Sequence, residues 1–395
     1  MNTVKNTIYL DNNATTQIAP EVAEEMAPYL GKFYANPSSI YTIGQEARVA
    51  LEAARQKLAG LIGAHADEII FTSCGSESDN TAIFSAIEMH PGKKHIVSTR
   101  VEHHAVLNYL KYLEGKGYRV TDLDVDSSGA IDVGSFSHAL TDDTAIATVM
   151  YANNETGVIF PIEQLGAIAR EKGILFHTDA VQAAGKIAID VSKDAIDMLS
   201  ISGHKLYAPK GIGALYVRRG VPFHPLLIGG HQEMGRRAGT ENLASIIALG
   251  KACELAGTEI ENDTSTIKAL RDKLEKHLLE NCPDARLNGN SDKRLPNTTN
   301  ISFEHVDGEA ILLMLDFHGI CASSGSACAT GSPEPSHVLS AIGVPPSFIH
   351  GSIRFSLSRY TTEADVDFVI EVMPGIIKRL RELSPVGRDK FCASR

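Results

Sequence analysis

The chain has no long uninterrupted run of apolar residues. Its best apolar run, at residues 310–315, ends at Asp316, whereas a membrane-spanning helix needs about 18 such residues or more. The first residues, MNTVKNTIYLDNN, lack the apolar core of a secretory signal. These two absences argue against a membrane protein and an exported protein, so we expect a cytoplasmic protein that does not bind membranes.

Positive charge is also scarce. The chain of 395 residues has 37 Lys and Arg against 48 Asp and Glu, which gives a formal net charge of −11. Proteins that bind nucleic acids generally rely on clustered basic residues, and the short pair Arg218–Arg219 does not reverse the balance. We therefore expect no nucleic acid among the partners of this protein.

Cysteine is sparse, with six residues scattered through a large chain. A disulfide framework is typical of small secreted chains, so we expect six reduced thiols. One of them, Cys328, lies in the stretch ASSGSACATGSPEPSHVL at residues 322–339, where no apolar neighbour is present to bury it. Such a thiol either has no chemical role or is the reactive group of the protein.

Metal ligands at suitable spacing are lacking too. The stretch VEHHAV places His103 and His104 side by side, but a metal site needs further ligands at suitable positions along the chain. The sequence therefore predicts no metal site.

Helical and strand patterns alternate between about residues 65 and 220. Strands are predicted for EIIFTS, KHIVST, YRVTDLDV, TAIATVMYA, ILFHTDA, DMLSIS and GIGALYV, and helices for stretches between them, such as SESDNTAIFSAIE. This order predicts an α/β domain with a mostly parallel sheet and helices on both faces. Ligands of such domains bind at the carboxyl ends of the strands.

The pattern changes after about residue 255. A long charged helix, STIKALRDKLEKHLLEN, is followed by the strand LPNTTNISFE, the helix EAILLMLDFHG, the strand SIRFSLS and a final helix. This order predicts a smaller α+β domain. We therefore predict a large domain over residues 16–255 and a small domain formed by residues 1–15 together with residues 256–395.

Two strand ends of the predicted sheet carry opposite charges. In the stretch GILFHTDAVQAAGK, Asp179 lies at the end of a predicted apolar strand, and Gln182 follows three residues later. In the stretch SISGHKLYAPKGIGALYV, Lys205 follows directly after another predicted strand. A single lysine is usually solvated, and no GxxxxGK[ST] phosphate loop is present. A lysine and a carboxylate across one crevice are what pyridoxal phosphate requires, because the lysine bonds to the cofactor and the carboxylate keeps its pyridine nitrogen protonated.

The stretch FTSCGSESDN offers a place for the phosphate of such a cofactor. Small hydroxyl residues precede a predicted helix, whose backbone N–H groups and dipole favour an anion. The same stretch can be interpreted as a simple helix start, with Ser76 as the N-cap and Asp79 as the acid of a capping box. The two interpretations are compatible.

Further stretches appear along the chain in a characteristic order: YLDNNATT, YANPSS, EHHAVL, NNETG, RAGTEN and IRFSLSRYTT. Together with those above, they make the chain resemble the cysteine desulfurases of the NifS/IscS type over essentially its whole length. These are enzymes of the fold-type I, or aspartate-aminotransferase-like, family that use pyridoxal 5'-phosphate. The resemblance implies a large domain with a mostly parallel seven-stranded sheet and a smaller α+β domain.

The resemblance also implies an activity and its nucleophile. The enzyme would remove sulfur from L-cysteine, release L-alanine and hold the sulfur as a persulfide on Cys328. A homodimer would deliver this sulfur to iron–sulfur cluster assembly, through a scaffold protein of the NifU or IscU kind.

Roles for individual residues follow from the same resemblance. Lys205 would carry pyridoxal 5'-phosphate, Asp179 would pair with its ring nitrogen and Gln182 would donate to its phenolic oxygen. His103 would stack on the ring and move protons, whereas His104 is expected to be structural. The remaining binding residues are Gly75, Ser76, Ser202 and His204 for the phosphate, with Thr240 from the other subunit, and Arg354 with Asn154 for the substrate carboxylate.

Two alternatives are compatible with parts of this pattern. The first is a lyase acting on selenocysteine or a sulfinate, or an aminotransferase, and neither of these reactions needs the thiol of Cys328. The second is a non-catalytic scaffold that binds iron–sulfur assembly proteins, which would show no visible absorption even after cofactor is added. The presence of Lys205, Asp179 and His103 argues against the second alternative.

Overall fold

The computed structural model of this protein describes residues 7–324 and 335–383. Within these residues, the larger part of the chain is built around a seven-stranded sheet with the order β2-β8-β7-β6-β5-β3-β4. Its strands are β2 (Ile69–Thr72), β3 (His95–Thr99), β4 (Arg119–Leu123), β5 (Thr144–Thr148), β6 (Leu175–Asp179), β7 (Met198–Ser202) and β8 (Gly213–Val217). Only β8 runs antiparallel to its neighbours. The prediction of a mostly parallel seven-stranded sheet in an α/β fold is confirmed.

Helices cover both faces of this sheet. The helices of this part are α1 (Pro20–Met26), α2 (Thr42–Ile62), α3 (Gly75–Met89), α4 (His104–Glu114), α5 (Val133–Ala139) and α6 (Ile162–Glu171). Alternate strand residues point to opposite faces: Ile70 packs with α3 and α4, whereas the next residue, Phe71, packs with α2 and α6. The strands are therefore buried on both sides, which explains their nearly continuous apolar sequences.

The smaller part has its own sheet and core. The remaining strands are β1 (Ile8–Tyr9), β9 (Ala285–Leu287), β10 (Thr298–Phe303), β11 (Ile320–Cys321) and β12 (Ser352–Ser356). Strands β12, β10 and β9 form an antiparallel sheet, and β1 pairs in parallel with β11. The other helices are α8 (Gly308–Phe317), α9 (His337–Ala341), α10 (Pro346–Ile349) and α11 (Glu363–Leu383). A separate apolar cluster that includes Leu10, Phe355 and Met373 lies inside this part.

One helix, α7 (Leu243–Asn281), links the two cores. The sequence predicted a helix only from residue 265, but the helix begins 22 residues earlier and runs through the predicted domain boundary at 255. Gly250 lies inside it because a Cβ there would come within 2.6 Å of Ala54 on α2. The glycine therefore allows close packing of two helices and does not end one. The boundary at 255 itself stays a prediction.

The described residues include no helix of sufficient length and apolar character to span a bilayer.

Candidate active site

A cavity of about 410 Å³ opens at the carboxyl ends of the central strands. This volume is in the range of small-molecule and cofactor sites. Asp179 is the last residue of β6, and Ser202 is the last residue of β7. The cavity is lined by every predicted site residue except Thr240 and Cys328, namely Gly75, Ser76, His103, Asn154, Asp179, Gln182, Ser202, His204, Lys205 and Arg354.

Two predicted site residues are not at this cavity. Thr240 is exposed and lines a different depression, with Ser73 and Arg237. Within one chain, therefore, Thr240 is separate from the other predicted site residues. Cys328 lies outside the described residues.

Asp179 provides a buried anion at the floor of the cavity. Its Oδ1 accepts a hydrogen bond from the backbone N–H of Val181 (2.9 Å). Burial raises the pKa of Asp179 to about 6, although the hydrogen bond from Val181 and the charge of Lys205 both lower it. Asp179 is therefore mostly ionised at pH 7, so it can pair with a protonated ring nitrogen.

Lys205 follows β7 in a short helical turn, Gly203–Lys205. Its Nζ donates hydrogen bonds to the backbone carbonyls of Asn13 and Ala14 (2.5 and 2.6 Å). The amine therefore points toward the N-terminal segment of the chain at the wall of the cavity. This position allows it to reach a carbonyl compound bound above Asp179.

His103 is the N-cap of α4. Its Nδ1 accepts a hydrogen bond from the backbone N–H of Ala105 (3.1 Å), so the ring proton of the neutral form lies on Nε2. Burial, followed by the charge of Lys205, lowers the pKa of His103 to about 4. His103 is consequently neutral at pH 7 and presents an N–H donor to the site.

The start of α3 forms the wall of the cavity next to Ser202. The helix begins at Gly75, where a Cβ would lie 2.8 Å from Cγ2 of Val181, so glycine allows the start of α3 to pack closely against Val181. The proposed capping box of Ser76 and Asp79 is wrong. The N-cap is Cys74, and Glu77 accepts a hydrogen bond from the backbone N–H of Ser73 (2.7 Å).

Asp79 is buried one turn into α3 and lines the cavity instead of capping the helix. Burial, followed by the charge of Asp179, holds the pKa of Asp79 well above its usual range. Burial and the neighbouring charge of Asp179 thus both favour the protonated form of Asp79.

Arg354 enters the site from β12 in the smaller part. Its guanidinium donates to the backbone carbonyl of Asn154 (3.0 Å) and to Oδ1 of Asp11 (2.7 Å), and the side chain is almost fully buried. Its Nε has no hydrogen-bond partner among the described residues. This buried, firmly held guanidinium is suited to binding a carboxylate with two parallel hydrogen bonds.

The chain before residues 325–334 is fixed next to this arginine. Ser323 and Arg354 exchange two backbone hydrogen bonds (2.7 and 3.2 Å) in an antiparallel bridge. One end of the segment that contains Cys328 is therefore attached to the strand that carries Arg354.

The chain after the same segment is fixed at the opposite wall. Ser336 Oγ donates to Oε2 of the buried Glu155 (2.6 Å). The ring of His337 lies 4.9 Å from the ring of His104, and both rings line the cavity. His104 was expected to be structural, but its ring is part of the cavity wall. Both ends of the segment reach the same cavity.

The residues present fit pyridoxal phosphate. Ser202 Oγ is buried without a hydrogen-bond partner among residues 7–324 and 335–383, next to the glycine at the start of α3. A helix N-terminus with adjacent hydroxyl groups suits the phosphate. The anion of Asp179 suits the pyridinium nitrogen, and the amine of Lys205 suits the aldehyde.

Several residues of the site carried no signal in the sequence. Asn13 donates to Thr298 Oγ1 and Asn154 O, and its own carbonyl accepts from Lys205 and Gln182. The other residues without a site role predicted from the sequence are Cys74, Asp79, Glu102, His104, Glu155, Lys186 and His337. Most of them contact residues that are distant along the chain, and no local pattern predicts such contacts.

Glu102 is fully buried next to His103. Its Oε1 accepts hydrogen bonds from Thr99 Oγ1 (2.8 Å) and from the backbone N–H of Met150 (2.9 Å), whereas Oε2 has no partner among the described residues. Burial raises the pKa of Glu102 to about 8. Its carboxyl group is therefore protonated at pH 7.

Replacing Glu102 by glutamine is expected to stabilise the protein near pH 7. The unfolded chain releases the proton of Glu102 above about pH 4.5, whereas the folded protein holds it up to about pH 8. The free energy of unfolding of the wild-type protein therefore falls as the pH rises from about 4.5 to 8. The variant avoids up to about 3 kcal/mol of this loss at pH 7. Chemical unfolding at several pH values measures the difference, with the exposed Glu24→Gln as control. A gain that stays constant between pH 5 and 8 would contradict the expectation.

Comparisons with known proteins agree with this geometry. The family model for Aminotransferase class-V matches residues 8–369. A cysteine desulfurase of Nostoc sp. is 58% identical over 383 residues, which cover 97% of this chain and 96% of that protein. The cysteine desulfurase NifS of Azotobacter vinelandii is 54% identical, with coverage of 96% and 94%.

A solved structure of a NifS-like protein has the same fold. It superposes with a TM-score of 0.89 at 37% sequence identity, and the match covers 95% of this chain and 100% of that one. The chain therefore belongs to the class-V aminotransferase family and, within it, to the cysteine desulfurases of the NifS/IscS type.

Proposed function

We propose that this protein is a pyridoxal-phosphate-dependent cysteine desulfurase that moves sulfur from L-cysteine to Cys328 for iron–sulfur cluster assembly. One observation carries the proposal: both ends of the segment containing Cys328 are fixed at the cavity that contains Lys205 and Asp179. The described residues on either side of Cys328, Ser323 and Ser336, are therefore fixed next to the cavity where the substrate would bind.

The residues proposed to hold the cofactor are those of the cavity floor and the α3 wall. Lys205 would bond covalently to it, Asp179 would pair with its ring nitrogen, Gln182 would donate to its phenolic oxygen, and the neutral ring of His103 would stack on it. The phosphate is held by Gly75, Ser76, Ser202 and His204. When bound, pyridoxal phosphate accepts the electrons released when the Cα–H bond of the substrate breaks.

Arg354 binds the carboxylate of L-cysteine, together with Asn154. The guanidinium is fixed by Asp11 and by the carbonyl of Asn154, so little side-chain entropy is lost on binding. The amine of Lys205 removes the Cα proton of the substrate. His103, neutral and with its proton on Nε2, donates a hydrogen bond or a proton toward the reacting groups.

Cys328 then accepts the sulfur. Its thiolate attacks the sulfur atom of the substrate, and an S–S bond forms while the C–S bond breaks. The electron pair of the broken bond stays with the carbon skeleton of the substrate, and Cβ takes up a proton. Lys205 returns a proton to Cα, and the product leaves as L-alanine. The sum of the reaction is one thiol and L-cysteine giving one persulfide and L-alanine, so no external oxidant or reductant is required.

The assembly of the protein is part of the proposal. Thr240 is exposed and does not line the cavity of its own chain, which supports a homodimer in which it completes the phosphate site of the other subunit. The two separate apolar cores support a large domain at residues 16–255 and a small one at 1–15 with 256–395. A scaffold protein of the NifU or IscU kind would receive the sulfur.

Replacing Cys328 by alanine is expected to reduce alanine formation from L-cysteine by about 10²-fold or more, because the nucleophile of the sulfur transfer is lost. Alanine is measured by chromatography at saturating L-cysteine. The matched control is Cys321→Ala, which removes the nearest preceding cysteine on β11. If the Cys328 variant formed alanine at the wild-type rate, persulfide formation on this residue would be ruled out as a required step.

A further inference from the structure

Lys186 is a second lysine at the candidate site, and the reaction described above does not use it. It lies beyond Gln182 in the stretch GILFHTDAVQAAGK, its side chain is partly buried, and its backbone carbonyl accepts a hydrogen bond from Thr264 Oγ1 on α7 (3.1 Å). No carboxylate lies within ion-pair distance of its Nζ among the described residues. Burial of a lysine without an acidic partner costs free energy of folding. We therefore expect the position of Lys186 to serve the function of the site.

The amine of Lys186 is held by two amide oxygens. Its Nζ donates to Oε1 of Gln182 (2.8 Å) and lies 3.5 Å from Oδ1 of Asn13. A lysine ammonium has donors and no acceptor. In its charged form, Lys186 can therefore contact only the oxygen of the Gln182 amide and not its nitrogen.

This contact determines the orientation of the Gln182 side chain. Nε2 of Gln182 donates to the backbone carbonyl of Asn13 (2.9 Å), which accepts a hydrogen bond from Lys205 as well. Both contacts of the amide require the same orientation, with oxygen toward Lys186 and NH₂ toward the wall of the cavity. Gln182 is thereby fixed as a hydrogen-bond donor to a ligand, with no freedom to present its oxygen.

The charge of Lys186 also acts on Lys205. Both lysines line a second, small cavity, together with Tyr207 and Asp263. Burial, followed by the positive charges of Lys205 and Arg354, lowers the pKa of Lys186 to about 7. Electrostatic repulsion is reciprocal, so a charged Lys186 favours the neutral amine of Lys205.

The other groups that face Lys186 do not cancel this effect. Asp263, on α7, is paired with the guanidinium of Arg359 (2.7 Å). Tyr207 is neutral, because burial raises the pKa of its phenol. Among residues 7–324 and 335–383, the charges that act on Lys186 are those of Lys205 and Arg354, and both are cations.

We propose that Lys186 is a positioning residue of this site: it holds the amide of Gln182 with its NH₂ group toward the cavity, and its charge favours the neutral amine of Lys205. This inference rests on the proposed function. Lys186 touches neither the substrate nor the proposed cofactor, but acts through Gln182 and Lys205. An amine must be neutral to attack a carbonyl group or to remove a proton, so both effects prepare the site for its reaction.

The first test is a pH titration of the visible absorption band of the purified holoenzyme. Lys186→Met removes the charge and the donors but keeps the length of the side chain, and it is expected to raise the midpoint of the titration by about one pH unit. Lys186→Arg keeps the charge and is expected to stay within about 0.3 units of the wild type. The control is Lys193→Met, because Lys193 is an exposed lysine seven residues after Lys186 that pairs with Asp190.

The outcomes separate this inference from the proposed function. An unchanged midpoint in Lys186→Met, with the band present, overturns only the role of Lys186. A wild-type protein that shows no visible band after addition of pyridoxal phosphate overturns the proposed function and this inference together. If Lys186→Met does not fold, Lys186→Gln replaces it and is judged by the same midpoint.

The second test measures the coupling between Lys186 and Gln182. Binding of pyridoxal phosphate is measured for Lys186→Met, for Gln182→Ala and for the double variant. If Lys186 acts through the amide, Lys186→Met weakens binding several-fold in the wild-type background and much less in the Gln182→Ala background. If the effects of the two single substitutions on the dissociation constant simply multiply in the double variant, the proposed contact with Gln182 is overturned. Independent residues contribute additively to the free energy of binding.

Discussion

Replacing Lys205 by alanine is expected to lower the rate of alanine formation by about 10⁴-fold, the largest effect of any single substitution considered for this protein. Lys205 is the lysine at the end of β7 whose Nζ reaches the cavity beside Asp179. The variant would lose both the covalent attachment of the cofactor and the amine that removes the Cα proton. The measurement is alanine release from L-cysteine with added pyridoxal phosphate.

A matched control is available five residues later in the same loop. Lys210 is exposed and lies outside the cavity, so Lys210→Ala is expected to retain activity. Addition of a small primary amine to the Lys205 variant should restore part of the rate, since a free amine can replace the missing base. Wild-type alanine formation by the Lys205 variant would contradict the assignment of the cofactor site.

The second large effect is expected at Arg354. Replacement by lysine keeps the positive charge but loses the planar group that binds a carboxylate with two hydrogen bonds. Removing one partner of a buried charged contact typically costs about 2–4 kcal/mol, which is about 30- to 1000-fold in kcat/KM. We expect the loss mainly as an increase in KM for L-cysteine, because Arg354 is proposed to bind the part of the substrate that does not react.

A control for the stability of this variant is Arg271→Lys. Arg271 is also a buried arginine, and it donates to the backbone carbonyls of Leu295 and Thr298 (both 3.1 Å). Its replacement is expected to lower the thermal stability without changing KM. If both variants changed KM to the same extent, the effect of Arg354→Lys would be structural, and its role in binding the substrate would be wrong.

The sequence predicted those parts of the fold that local patterns encode. The strands that end at Asp179 and before Lys205 are apolar runs followed by polar residues, and the general rule for α/β sheets placed both ends at one crevice. The order of the strands was not predictable in this way. It depends on pairings such as β2 with β8, whose residues are more than 140 positions apart in the chain.

The errors have physical reasons as well. Ser76 and Asp79 match the capping-box pattern, but at the start of α3 the backbone N–H of Ser73 donates a hydrogen bond to the carboxylate of Glu77. The helix α7 was predicted too short because its first half is apolar and packs on α2, whereas only its second half shows a charged pattern. The residues around Gly250 do not reveal that helix α2 packs closely against this position, which is why a glycine occurs inside α7.

The roles of Arg354 and Lys186 show the same limit. SIRFSLS predicts a strand, and only the resemblance to a family assigned Arg354 to the substrate, since a charged residue in a short strand is compatible with many structures. Lys186 carries no local signal at all. Its importance depends on Gln182, Asn13 and Lys205, which the fold brings together from three separate parts of the chain.

The central claim is that sulfur from L-cysteine passes to Cys328. Mass spectrometry of the purified protein after incubation with L-cysteine, followed by alkylation and proteolysis, tests this most directly. We expect one additional sulfur atom on the peptide containing Cys328 and one molecule of L-alanine released for each sulfur bound in the first turnover. Alanine release without sulfur on Cys328, or sulfur on another residue such as Cys74 instead, would contradict the account.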